Sequence, residues 1–133
     1  MDFENLKVGL KNSVAQIVTE NDTAVAVGSG SLKVLATPKL IALVEKAAAD
    51  LVEKNLPQEF TSVGISVNIE HTAPTPVKMK FWAEVEILEI DGRKIIFEVK
   101  AMDERGEILR GKHERFIVNR EKFQSKADSK KIS

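Results

Sequence analysis

One stretch of this chain departs from an otherwise two-residue hydrophobic period. Between residues 36 and 52, Leu40, Ile41, Leu43, Val44, Ala47, Ala48, Leu51 and Val52 recur at three- and four-residue spacing. That spacing predicts one long amphipathic helix with a stripe made for packing on a sheet. Thr37 reads as its N-cap and Pro38 as its first helical residue, where a missing N–H costs nothing. Lys39, Lys46, Asp50 and Glu53 fall on the polar side. Glu45 belongs to neither side. It sits at the edge of the stripe beside Ile41 and Val52, where a carboxylate can be half-buried.

Elsewhere the period is two. Residues 11–20 read as a strand rich in β-branched side chains, Asn21-Asp22 as a turn, and residues 23–27 as a second short β run. Gly28-Ser29-Gly30-Ser31 breaks the pattern, either as a plain connector or as a mobile rim over a pocket at the helix start. After Pro57, residues 60–70 alternate, with Thr61, Val63, Ile65, Val67 and Ile69 on one face. Carrying that parity forward puts His71 on the apolar face and Gly64 on the other. Pro74 and Pro76 interrupt the ladder, and residues 77–87 resume it. Asp91-Gly92 predicts a hairpin, residues 95–101 its return, and residues 107–119 a last strand. The first eight residues read as an irregular segment docking Phe3 and Leu6.

Two short strands, one helix and four strands in a meander predict an α+β fold, a curved antiparallel sheet wrapped around one long central helix. Residues 1–123 form a single domain, and the polar, lysine-rich residues 124–133 a frayed tail.

Composition narrows the function more by exclusion than by assignment. The chain has 133 residues, 20 basic and 20 acidic, so no net field draws nucleic acid or an anionic membrane. No apolar run reaches the ~18 residues of a membrane span. The N-terminus lacks the basic-then-apolar order of a secretion signal, so a cytoplasmic location is expected. Without cysteine there is no thiolate nucleophile or thiolate zinc site, and two histidines do not make a metal centre; no metal or cofactor is expected.

Three polar groups remain oddly placed: Thr37, Glu45 and His71. Thr37 opens the helix, where free amides and the positive dipole end can hold a carbonyl oxygen as it becomes negative. Glu45 can serve as base or nucleophile, and the His71 imidazole can carry protons near neutral pH. Converging on one corner, they outline an acyl-transfer site; apart, they are a cap, an edge carboxylate and a structural histidine. In Gly111-Lys112-His113-Glu114-Arg115, alternation puts Gly111, His113 and Arg115 on one face, where Arg115 could bind an anion or carbonyl or simply face water. No phosphate-binding glycine loop is present.

V-L-A-T-P before the helix, Glu45 eight residues after Thr37, H-T-A-P-T-P at 71–76 and G-K-H-E-R-F at 111–116 together resemble hotdog-fold thioesterases of the fluoroacetyl-CoA thioesterase type. The similarity runs from about Val8 to Phe123. It implies a hotdog fold, hydrolysis of an acyl-CoA thioester, and a homodimer with its acyl-CoA sites near the subunit interface. By position it implies Thr37, Glu45 and His71 as catalytic residues, and Gly64 and Arg115 as substrate-binding residues. Because simple alternation sets Gly64 opposite His71 in parity, a shared pocket requires a bulge or a second subunit.

Family members of this type carry aromatic residues in the lid before the threonine. Here that lid is Gly28-Ser29-Gly30-Ser31, which implies a short- or medium-chain acyl-CoA thioesterase without a gate for fluorinated acyl groups. A non-catalytic acyl-CoA or small-ligand binding module on the same fold is the alternative. A hotdog hydratase is weaker, since its Asp/His motif is missing.

Overall fold

Five antiparallel strands, β1 (Lys11–Ile17), β2 (Phe60–His71), β3 (Lys80–Asp91), β4 (Lys94–Asp103) and β5 (Gly106–Asn119), form one sheet in the order β1-β3-β4-β5-β2. The structure is a computed structural model in which residues 3–131 are described. Met1, Asp2, Ile132 and Ser133, which belong to the terminal segments read above, lie outside the described residues. The sheet is antiparallel and wraps a single long helix, as the sequence pattern predicts.

Among the described residues three α-helices accompany it: α1 (Ala24–Val27), α2 (Thr37–Glu53) and α3 (Arg120–Asp128). Helix α2 buries Leu40, Leu43, Val44, Ala47, Ala48, Leu51 and Val52. Opposite them the sheet presents Phe81, Ala83, Val85, Ile87, Ile95, Phe97, Val99 and Ala101, all buried. Burying each large aliphatic side chain stabilises the fold by roughly 1.5–3 kcal/mol, so this helix–sheet contact is the main energetic link in the molecule. The Asn12 side chain of β1 adds a bond to the Ala47 carbonyl at 3.0 Å. Phe3 meets Phe60 edge-on at 5.2 Å, and Leu6 is buried, so the N-terminal segment docks as its pattern suggests.

Three expectations are corrected. The run at 23–27 is helical: Thr23 caps α1 by accepting from the Ala26 amide at 3.3 Å, and Gly28 ends it with φ 87°. A threonine cap and a left-handed glycine outweigh the β-branched residues between them. Next, β2 is not the first strand of a meander; it crosses the sheet to pair with β5 at the far edge. Last, Thr37 is not the cap of α2. Ala36 holds that position with extended backbone, and its carbonyl accepts from the amides of Lys39 and Leu40 at 3.1 Å. The Thr37 hydroxyl is thereby released from capping.

The alternation of β2 is also broken. Gly64 pairs with Arg115 and Ser66 with Glu114, so Ile65 is an extra residue in a bulge. Beyond it Val67, Ile69 and His71 pair with His113, Gly111 and Leu109. Cross-strand partners share a face. Ser62 and Gly64 before the bulge therefore face the same side as Val67, Ile69 and His71 after it. At this sheet edge Ile65 and Val67 are exposed, at 50% and 39%.

Candidate active site

Thr37 and His71 come together at the start of α2. The Thr37 Oγ1 lies 2.7 Å from His71 Nδ1. Burial pushes the imidazole below its ordinary pKa, while a backbone hydrogen bond at Ala73 works the other way. His71 Nε2 is buried and has no hydrogen-bond partner among the described residues. The Thr37 hydroxyl and Nδ1 share one hydrogen bond, in which the hydroxyl donates to a bare Nδ1 or accepts from Nδ1–H according to the tautomer. The Thr37 amide has no backbone acceptor among the described residues, and Pro38 follows it without an N–H. Hydroxyl and amide stand together at the positive end of a helix.

This corner opens into a cleft of about 310 Å³, lined by Ser29, Val34, Leu35, Thr37, His71 and Pro74 among others. Ser29 belongs to the Gly/Ser segment, which here forms part of the pocket wall. A hollow of about 610 Å³ lies among Lys11, Glu84, Glu86 and Lys100, but its charges are mixed and neither Thr37 nor His71 lines it.

Glu45 occupies a second cluster. Its carboxylate is half-exposed and lies 3.8 Å from Arg115 Nη1. Arg115 is buried and held on three sides: Nε donates to Ser62 Oγ at 2.7 Å, Nη2 to the Ser62 carbonyl at 3.0 Å, and Nη1 to His113 Nε2 at 3.2 Å. Burial pushes the guanidinium below its ordinary value, and the charges of Glu45 and Glu53 oppose that shift. Gly64 forms the floor. A β-carbon there would stand 2.7 Å from Glu45 Oε2 and 3.2 Å from His113 Cε1. The bulge resolves the parity problem, because Gly64 and His71 face the same side.

The five site residues suggested by sequence therefore fall into two groups within one chain. Thr37 and His71 touch, and Glu45, Gly64 and Arg115 adjoin, but Thr37 and Glu45 are eight residues apart on α2, about 12 Å of helix. Sequence reasoning passed over Ser62 and left His113 as one member of a motif. Alternation did place His113 beside Arg115; the missing signal was its register against the bulge. Among the described residues no cluster of three or more His, Cys, Asp or Glu could hold a metal ion, and no helix is long and apolar enough to cross a membrane.

Comparison with known proteins identifies the family and the fold. The sequence profile of the fluoroacetyl-CoA-specific thioesterase family matches residues 18–121. The fluoroacetyl-CoA thioesterase of Streptantibioticus cattleyicolor is 32% identical over 98 residues, covering 74% of this chain and 70% of that protein. A solved structure of the fluoroacetyl-CoA thioesterase FlK superposes with a TM-score of 0.89 at 27% identity, over 94% of this chain and 97% of that one. A hot-dog-like protein from Thermanaerovibrio acidaminovorans shares the fold at a TM-score of 0.88 and 22% identity, over 98% and 97% of the two chains. With a profile match over most of its length and a relative of 32% identity, this chain belongs to the fluoroacetyl-CoA-specific thioesterase family.

Proposed function

We propose that the protein is an acyl-CoA thioesterase, hydrolysing a short- or medium-chain acyl-CoA to the free acid and CoA as a cytoplasmic homodimer. The observation that carries this reading is the Thr37 hydroxyl, 2.7 Å from a histidine whose other ring nitrogen is buried and unpartnered. Such a pair beside a free helix amide suits a thioester carbonyl better than it suits water. The small Gly28–Ser31 segment at the cleft supports a short- or medium-chain acyl group without an aromatic gate.

Each chain holds its carboxylate too far from its own Thr37 to act there. A second copy supplies one if β2 pairs with itself across a two-fold axis, which also covers an exposed strand edge. Antiparallel pairing of two β2 strands about their middle brings the His71 end of one strand toward the bulge end of the other, where the Glu45 of that copy lies against Gly64. The exposed Ile65 and Val67 side chains sit at the centre of that seam.

In this site the Thr37 hydroxyl, polarised by Nδ1–H of His71, and the Thr37 amide hold the thioester oxygen. Glu45 takes a proton from water as the water oxygen bonds to the carbonyl carbon. Charge on the oxygen grows and is met by those donors. As the carbonyl re-forms, the C–S bond breaks and Glu45 returns the proton to the CoA sulfur. Gly64 and Arg115 shape the acyl end of the pocket and hold Glu45 in place.

A thiol-release assay over a panel of acyl-CoA chain lengths, run beside Glu45→Gln, tests the reading. It expects turnover by the native protein and a loss of about 100-fold or more in the variant. Equal rates, with acyl-CoA still raising the melting temperature of both, would instead identify a binding module.

A further inference from the structure

His113 has no part in the reaction above, yet it is fully buried, at 0% exposure, and stacks on Phe97 with ring centres 6.0 Å apart. Its Nδ1 is 2.8 Å from the Ser66 carbonyl and its Nε2 is 3.2 Å from Arg115 Nη1. A carbonyl only accepts, so Nδ1 carries hydrogen. A guanidinium only donates, so Nε2 must offer its lone pair. Of the three protonation forms of imidazole, only the neutral Nδ1–H tautomer meets both demands. Burial above all, and the Arg115 charge, hold the ring neutral, against the Ser66 bond and the charges of Glu45 and Glu114.

We propose that His113 is a positioning residue of this site, acting through Arg115 to fix where the Glu45 carboxylate stands. The inference rests on the reading of Glu45 as the base. Arg115 Nη1 lies 3.8 Å from Glu45 Oε2, beyond hydrogen-bond length but near enough for attraction. What keeps it there is its third anchor, the His113 lone pair. Without that acceptor Nη1 is free to close on Glu45 and form a charge-assisted hydrogen bond. That bond would occupy a carboxylate oxygen needed for water and turn the carboxylate away from the cleft. His113 also reaches the other way. Its Nδ1 partner, Ser66, closes the β2 bulge that turns Gly64 toward Glu45. One imidazole thus ties the irregular edge strand to the guanidinium and, through it, to the base.

The test pairs two substitutions with one measurement on the unmodified protein. His113→Leu removes the acceptor, while His113→Gln keeps an oxygen for Arg115. His113→Leu is expected to lower kcat about 10-fold or more at nearly constant KM, and His113→Gln to recover most of it. A merely structural role would lower the melting temperature in both without a selective return of kcat in the glutamine variant, and that result overturns the inference. Nitrogen-15 NMR of the native ring is expected to show the Nδ1–H tautomer near neutral pH. An Nε2–H tautomer or an imidazolium overturns the inference even if neither variant folds. Absence of acyl-CoA turnover by the native protein counts against the thioesterase reading. Native turnover with an unaffected His113→Leu counts against this inference alone.

Discussion

Gly64 stands where a β-carbon would come within 2.7 Å of Glu45 Oε2, on a strand that bulges immediately afterward. The space the glycine leaves is filled by the carboxylate. Gly64→Ala must therefore push back the Glu45 carboxylate, and the buried His113 ring and Arg115 guanidinium, at 3.2 and 3.3 Å from the new carbon, must also give slightly. We predict a stability loss of about 1–2 kcal/mol and a fall in kcat of about 10-fold or more as Glu45 is displaced. Melting curves and steady-state kinetics on the same preparation separate the two. A variant that loses stability but keeps kcat would detach Gly64 from the site.

Thr37 gives a sharper separation. Its hydroxyl meets His71 and does not cap α2. Thr37→Val should therefore leave stability within about 1 kcal/mol, and lower kcat about 100-fold through loss of an oxyanion donor. Thr37→Ser should retain most activity. Intact mass spectrometry during turnover should find no acyl group on Thr37; a stable acyl-threonine would make it the nucleophile and revise the proposed chemistry.

Acid should weaken the fold in a defined window. Burial holds His71 and His113 below their ordinary value of 6.5. Between the lowered values and 6.5 the unfolded chain binds more protons than the folded one, so stability rises with pH there. Read downward, stability is lost as pH falls below about 6.5, and the loss stops growing beneath the folded values. Glu53 adds a later step. Hydrogen bonds from Arg120 first and Thr61 second hold its carboxyl low, so its contribution is present above 4.5 and disappears as pH falls through the folded value. Urea midpoints should be level from about pH 7 to 8 and decline below about 6.5. A midpoint that climbs on acidification through that range contradicts the assignment.

Gly111 is constrained by backbone. A β-carbon there would sit 2.7 Å from the Ile69 Cα and closer still to the Asn68 carbonyl, so β2 and β5 would have to part. Gly111→Ala should cost about 2 kcal/mol or more, visible as a lower melting temperature. An unchanged melting temperature would mean that the strands can separate freely at this point.

The helix, the antiparallel sheet and the Thr37–His71 corner were legible because each rests on local pattern: a 3.6-residue stripe, runs of period two, and parity carried forward to residue 71. Parity gave the right face for His71 only because Ile65 lies in a bulge. The same count put Gly64 on the wrong face, since no residue type near Ile65 announces the extra position. The crossing of β2 to β5 was hidden for a related reason: pairing depends on contacts far apart in sequence. At residues 23–27 the cap and the glycine were present in the sequence, but β-branched composition was given more weight than Thr23 and Gly28. The separation of Thr37 from Glu45 was implicit in eight residues of helix.

The proposed division of the site between two copies can be read in one experiment. Thr37→Val and Glu45→Gln chains are purified separately, mixed under conditions that exchange subunits, and assayed for thiol release from acyl-CoA. If Thr37 and His71 of one copy work with Glu45 of the other, each variant alone is nearly inactive and the mixed dimer holds one intact site, restoring about a quarter of native activity. A mixture that forms heterodimers yet shows no more activity than its components contradicts the account.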